Sequence, residues 1–365
     1  MGSVKALTRF IGFIGLVGLA LVVVPQAAEA ACGAVQCFVV IGSQQQVPQQ
    51  GLLTVNAFYN YTPMRLLGGT SGVIPAIDQQ GRRLILDHHQ ETRTITQTYT
   101  LDLNYGLTER LGVQVTIPYL KRTHNHIDEL GEANGGAGET ARFSDNGIGD
   151  IRVTAKYNLW QTLRGTVVGG FGVDLPTGDT NARDTTGGVM EAPTQLGRGN
   201  VGLIGSFYQV YQVIPERLSQ FAYASYRHTF RNNDGYQFGD EYLFNVGFNV
   251  VTVPWLTLTS QFNYRYLAHD NISASLERSQ TPADPGFPDD PIVVDPLIRD
   301  RRVPNTGSTY FAYTPGFQIS VGDATSVYFY SQIPIARDAN NNLAQGVSYV
   351  FGMTRSFQTP KLFGQ

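Results

Sequence analysis

Cysteine is almost absent from this chain, since Cys32 and Cys37 are the only two among 365 residues. This scarcity excludes a small secreted scaffold held together by many disulfides. In an oxidising periplasm the two cysteines are expected to form one disulfide with each other, although Cys32 could instead be a lipidated first residue. Haem attachment is excluded because the Cys-x-x-Cys-His motif is missing.

Charge is also scarce. Charged residues make up 15% of the chain, against about a quarter in a typical soluble domain. The formal net charge is −3, so the chain lacks the basic footprint of a nucleic-acid-binding protein. Nucleic acid is therefore not expected among its partners.

Long apolar runs are missing after the first 30 residues. The one early run, Phe10–Val24, is short for a helix that spans a bilayer. Lys5 and Arg9 precede it and Ala28-Glu29-Ala30 follows it, which is the pattern of a secretory signal peptide with its cleavage site. Residues 1–30 are therefore predicted to be a signal peptide, with an uncleaved anchor as the alternative.

What the chain does contain is a two-residue alternation of apolar and polar side chains. From Ile95 to Leu107 the odd positions are mostly apolar and the even positions are polar or glycine. Asp150 to Leu159 shows the same rhythm with charged residues on the polar face. Side chains alternate between the two faces of a strand, so each segment has one greasy and one wet face.

About twelve such segments follow one another, separated alternately by short turns and long loops. This order predicts an all-β fold, a transmembrane antiparallel up-and-down β-barrel of about 12 strands. Its short turns would be periplasmic and its long loops extracellular, in the outer membrane of a Gram-negative-type envelope. The 19 tyrosines and 20 phenylalanines suit a lipid-facing wall. A soluble β-sandwich is the alternative, although it rarely combines such alternation with such regular connections.

The alternation also divides the chain. Residues 31–50 are predicted to be an N-terminal segment that lies in the periplasm or plugs the lumen, 51–357 the barrel and 358–365 a tail. Three long loops are expected, at 62–92, 122–148 and 268–305.

Several short motifs resemble an outer-membrane family labelled phenol meta-pathway degradation transporters, which is similar in style to the long-chain fatty-acid channels. The motifs are Tyr105–Leu111, Ile117–Tyr119, Gly147–Asp150, Ala155–Leu159 and Leu175–Asp179. The resemblance covers roughly residues 95–357. It implies passive movement of small molecules, including hydrophobic or aromatic ones, and it implies no catalytic residues.

The wet faces of the strands are the candidate functional surface, because in a membrane barrel they line the lumen. The candidate lumen or permeation residues are Asp102, Asn104, Gln114, Arg152, Lys156, Asp174, Glu241, Asn263 and Arg265. Arg152 and Lys156 would form a short cationic ladder, with Asp102 and Asp174 as candidate partners. Such acids and bases could orient a passing solute, or they could pair with one another and fill the lumen.

Four histidines occur in two predicted loops on the same rim and form a candidate metal site: His88, His89, His124 and His126. Imidazoles two residues apart in an extended segment point the same way, as metal ligands must. Solvated loop histidines are the alternative interpretation, and no other cofactor is expected.

The functional hypothesis is an outer-membrane, porin-like channel for passive transport of small molecules. Its expected partners are outer-membrane lipid and a small solute, and the oligomeric state is left open. An interaction barrel that docks a partner protein in its lumen or loops is the alternative. Catalysis is not expected, because Ser225 and His228 lie on opposite faces of one predicted strand.

Overall fold

The alternating segments form the long strands of the structure, and each place in the resulting wall is long enough to cross a membrane. The computed structural model describes residues 38–78, 83–128, 139–183, 191–273, 302–303 and 305–360. The strands are β1 Leu52–Arg65, β2 Val73–Asp78, β3 Arg83–Gly106, β4 Leu111–Asp128, β5 Glu139–Ile148, β6 Ile151–Gln161, β7 Gly165–Leu175, β8 Gly202–Ile214, β9 Leu218–Thr229, β10 Tyr236–Gln237, β11 Glu241–Val253, β12 Leu256–Leu267, β13 Asn271–Ile272, β14 Ser308–Val321, β15 Thr325–Asp338, β16 Ala344–Gln345 and β17 Ser348–Gln358.

The main sheet closes on itself. Neighbouring strands pair antiparallel from β3 round to β17, and β1 pairs with both β3 and β17. Strands β5 and β6 lie end to end along β4 and together occupy one place in the wall. Among the described residues the barrel therefore has twelve places, and the predicted fold class is confirmed. Closure leaves no sheet edge within the membrane, as a lipid environment requires.

The two faces of the wall match the alternation in the sequence. On β6, Val153 is 37% exposed and its neighbour Thr154 only 9%. Aromatic side chains stand in rows on the outer face, as in Tyr59, Tyr99 and Tyr119, whose successive ring centroids are 5.0 Å and 6.5 Å apart. Because apolar side chains are exposed and polar ones enclosed, the outer face suits lipid and the inner face a lumen.

The connections sort by length at the two ends of the barrel. Short turns join β3 to β4, β6 to β7, β8 to β9, β11 to β12 and β14 to β15. The start of β1 and the end of β17 lie at this same end, where Leu52 pairs with Gln358. This end is therefore the periplasmic one under the rule for such barrels. Among the described residues, the helices are too short or too polar to cross a membrane.

Two predicted loops are shorter than the sequence suggested. The 62–92 region contains the end of β1, all of β2 and the start of β3, and the 122–148 region contains the end of β4 and all of β5. These extensions reach beyond the apolar band, which is about 25 Å tall in such barrels. Both faces of a strand can be polar there, so the amphipathic signal that marks a membrane strand is lost.

Candidate functional site: the barrel lumen

Residues 38–50, here called the inner segment, lie inside the barrel. The segment enters beside the turn between β3 and β4, where Gln50 bridges to Gly106. A Cβ atom at Gly106 would clash with the carbonyl oxygens of Pro48 and Gln49, so only glycine leaves room for this contact. Lumen side chains then hold the backbone, because Asn104 Nδ2 donates to the carbonyl of Gln46 at 3.1 Å.

The middle of the inner segment spans the bore from wall to wall. Val40 packs against β7, β8 and β9, and Ile41 packs against β15 and β17 on the other side. The residues in contact are Val168, Tyr208 and Phe221 for Val40, and Tyr328, Tyr330 and Val350 for Ile41. Gln261 on β12 fixes this level, since its side chain receives the amide of Val40 at 3.1 Å and donates to the carbonyl of Val40 at 3.3 Å. The lumen is therefore filled at this level.

The upper end of the inner segment rests on β12 and β14. The ring of Phe38 contacts Tyr310 edge-on at 5.7 Å between centroids. The guanidinium of Arg265 lies 5.1 Å from the ring centroid of Phe38, within cation–π range. Arg265, one of the predicted lumen residues, is buried on β12, and its charge meets aromatic rings of the inner segment and of the wall.

A second segment, residues 192–198, covers the lumen from the extracellular side and is called the roof loop. Arg122 on β4 anchors it, because one of its terminal nitrogens donates to the carbonyls of Pro193, Thr194 and Gln195 at 3.2, 2.6 and 2.6 Å. Asp150, between β5 and β6, receives the amide of Arg198 at 2.9 Å.

Between the inner segment and the roof loop lies a cavity of about 280 Å³, here called the chamber. Its floor includes Phe38, Val40 and Gln44, and its roof includes Gln195 and Leu196. The wall supplies polar side chains from β1, β3, β4, β6, β7, β8, β9 and β11, together with a few apolar ones.

Four charged side chains line one wall of the chamber and form a chain of ion pairs, here called the charged row. Arg152 contacts Asp174 through two hydrogen bonds of 2.7 Å and 3.1 Å. Arg227 lies 3.6 Å from Asp174 and 2.9 Å from Glu241. Charges therefore alternate along the row, from Arg152 on β6 to Glu241 on β11, near the extracellular ends of their strands.

All nine predicted lumen residues face the interior, but most of them are already engaged. Asp102 accepts a hydrogen bond of 2.5 Å from Thr116, and Gln114 lines the chamber. Asn263 contacts Asn245, Gln261 and Thr314. Lys156, expected to form a ladder with Arg152, instead donates from Nζ to the carbonyl of Gln44 in the inner segment. A role of these residues in permeation stays a prediction.

The histidines lie in strands where the sequence predicted loops. His124 and His126 are buried on β4, and His124 contacts Glu91 at 2.9 Å through Nε2 and Thr94 at 2.8 Å through Nδ1. The backbone of His88 and His89 belongs to β3, and their side chains lie outside the described residues. No group of three or more metal-ligand residues with a metal-site arrangement occurs among the described residues. Cys32 and Cys37 also lie outside them, so metal binding and the disulfide stay predictions.

Three arginines at the site were missed from the sequence: Arg122, Arg198 and Arg227. Arg227 shares the inner face of β9 with Tyr223, so the two-residue alternation could have revealed it. Arg122 stands beyond the clear membrane pattern, and Arg198 belongs to a loop whose inward path has no local sequence signal.

The geometry defines a class of protein, an outer-membrane β-barrel whose lumen is covered at two levels and holds a chamber between them. The chain belongs to the family described as "Putative MetA-pathway of phenol degradation", which matches residues 78–287. The family resemblance and the outer-membrane location predicted from the sequence are thereby confirmed.

The fold is shared with a solved outer-membrane channel. An outer membrane channel from Pseudomonas putida F1 has 13% sequence identity and a TM-score of 0.55, and the likeness covers 88% of this chain and 100% of that chain. The toluene transporter TbuX from Ralstonia pickettii has 9% identity and a TM-score of 0.41, covering 86% and 90%. The monoaromatic hydrocarbon channel CymD has 10% identity and a TM-score of 0.40, covering 85% and 90%. No curated protein matches the chain.

Proposed function

We propose that this protein is a passive outer-membrane channel for small molecules, and that hydrophobic or aromatic compounds are the solutes it admits. The observation that carries the proposal is the chamber of about 280 Å³ inside a closed barrel. The description of the family by phenol degradation supports an aromatic solute. The Pseudomonas putida protein of the same fold is itself called a channel. Outer-membrane lipid is the partner of the aromatic outer face.

The barrel wall and the inner segment differ in the kind of contact that holds each of them in place. The wall is a closed ladder of backbone hydrogen bonds between all neighbouring strands. The inner segment is held by a few side-chain hydrogen bonds, each contributing about 1 kcal/mol, and by the burial of Val40 and Ile41, each contributing about 1.5–3 kcal/mol. The inner segment can therefore leave the bore while the barrel stays folded, because none of these contacts belongs to the backbone ladder of the wall.

This difference gives a route for passive transport. A solute enters the chamber when the roof loop moves out of the bore, and it leaves towards the periplasm when the inner segment moves out of the bore. The concentration gradient supplies the driving force, and the proposal assigns no catalytic residue.

The test compares the full-length protein with a variant lacking Val39–Gln46 in planar bilayers. The intact protein should conduct weakly or in brief openings, and the deletion should conduct steadily with severalfold larger current, because the filled level is emptied. Heat-resistant migration of both proteins on gels verifies that the barrel is folded. A folded deletion variant that stays silent, and that admits no solute in liposome-swelling assays, would contradict the channel function.

A further inference from the structure

Cationic side chains outnumber carboxylates in the lining of the chamber, with Arg122, Arg152, Lys156, Arg198 and Arg227 against Asp102, Asp150, Asp174 and Glu241. Arg152, Arg198 and Arg227 all line it, and each guanidinium carries five N–H donors and no acceptor. The carboxylates that form ion pairs with Arg152 and Arg227 are Asp174 and Glu241, and Asp150 receives the backbone amide of Arg198. The balance between the two sets decides what kind of solute the chamber can satisfy.

The acceptors are largely consumed within the charged row. Each oxygen of Asp174 receives one hydrogen bond from Arg152, and the second oxygen also faces Arg227 at 3.6 Å. One oxygen of Glu241 takes the 2.9 Å contact with Arg227. The Nε–H of Arg227 has no hydrogen-bond partner among the described residues. Donors are thus left over after the carboxylates are satisfied.

Arg198 in the roof loop adds a cation without a directly bonded carboxylate among the described residues. Its side chain donates to the hydroxyl of Thr229 at 3.0 Å and lies 4.9 Å from the ring centroid of Phe238. Burial and the neighbouring Arg227 lower the pKa of Arg198 to about 10. The guanidinium stays charged at neutral pH, and a nearby anion would stabilise it.

The rest of the chamber suits a small apolar body. Phe58, Leu120 and Leu243 line it together with the ring of Phe38 on the floor. A volume of about 280 Å³ lies just below the range of about 300–1,000 Å³ in which drug-sized ligands bind. One ring with a short substituent is therefore the fitting size.

We propose that the chamber is a binding site for a small organic anion, one carboxylate on an apolar body of about one ring. The carboxylate would accept hydrogen bonds from Arg198 and Arg227, and the ring would lie against the apolar side chains. A hydrocarbon would leave the surplus donors unsatisfied in an enclosed space, and an organic cation would face arginine. The inference rests on the proposed function, because it names the solute class of that channel.

Isothermal titration calorimetry on the full-length protein in detergent tests it with three ring compounds of similar size. Benzoate should bind about tenfold or more tightly than benzyl alcohol or benzylamine, the difference expected from one charge-assisted hydrogen bond. Equal affinities, or a preference for benzyl alcohol, would overturn the proposal.

Two variants change the donor balance in opposite directions. Arg198→Gln should weaken benzoate binding about tenfold and leave benzyl alcohol unchanged. Glu241→Gln removes a competing acceptor and should tighten benzoate binding, a gain that misfolding cannot imitate. Arg142→Gln, which removes an exposed arginine on β5 away from the chamber, is the matched control and should change neither affinity. Weaker benzoate binding in folded Glu241→Gln would contradict the proposal.

Binding in detergent is independent of conduction, so the two proposals can fail separately. A protein that conducts but does not prefer benzoate would contradict the anion site and support the channel function. A protein that binds benzoate but stays impermeable after deletion of Val39–Gln46 would contradict the channel function and support the binding site.

Discussion

Two levels of the same lumen differ in charge and in what occupies them. The level around Val40 and Ile41 is lined by aromatic and amide side chains, and the inner segment fills it. The level of the charged row, nearer the extracellular ends of the strands, surrounds the chamber. A neutral wall can bury a piece of chain cheaply, whereas burying chain against ionised groups would remove their hydration. The lumen is thus filled where most wall side chains are neutral, with Lys156 and Arg265 as charged contacts of the inner segment, and space remains beside the charged row.

The largest effect on the free energy of unfolding is expected from Asp174→Asn, which neutralises the centre of the charged row. Arg152 and Arg227 would lose their shared partner, and the loss of a buried ion-pair partner costs about 3–5 kcal/mol. The partial exposure of Arg152 places the expected effect near the lower end, at about 3 kcal/mol. Urea unfolding in lipid vesicles measures it, with Asp323→Asn in an exposed periplasmic turn as control. Equal stability of the two variants would show that the row is screened by solvent.

The filled level is probed by Ile41→Asn. Ile41 is 3% exposed, and replacing its side chain with an amide removes about 2 kcal/mol of apolar burial. The inner segment should leave the bore more often, so the open probability in planar bilayers should rise while the unfolding midpoint of the barrel stays the same. Gln49→Asn changes an exposed side chain of the same segment and should leave the currents unaltered. A drop in barrel stability with unchanged currents would mean that the segment is part of the wall's fold.

The smallest effect is expected at Lys156, which reaches from β6 to the inner segment. Lys156→Met removes one hydrogen bond to the carbonyl of Gln44. The open probability should rise less than with Ile41→Asn, because the burial of the ammonium group costs much of the free energy that its hydrogen bond contributes. Lys121→Met, on the exposed face of β4, is the control. A change in ion selectivity without a change in open probability would instead favour the permeation role predicted from the sequence.

Much of the wall was predictable because strand alternation is a local property. Val153 is exposed and Thr154 is buried because successive side chains of a strand point to opposite faces of the sheet. The same rule predicted Asp174 and Arg265 on the lumen face. The rule failed where both faces are polar, as at His124 and His126, which were expected in a loop and lie in β4. It also left open whether the glutamine-rich residues before β1 lie inside the barrel or outside it.

The sequence by itself determined the faces, the number of strands and the side of the membrane on which the turns lie. Each of these follows from the two-residue period and from the lengths of the connections, and both are local properties of the sequence. Only the tertiary structure decided that Lys156 bonds the inner segment while Arg152 pairs with Asp174. It also decided that Arg122 anchors the roof loop. Such contacts join residues far apart in the chain, and they are selected by barrel closure and by which segment fills the lumen.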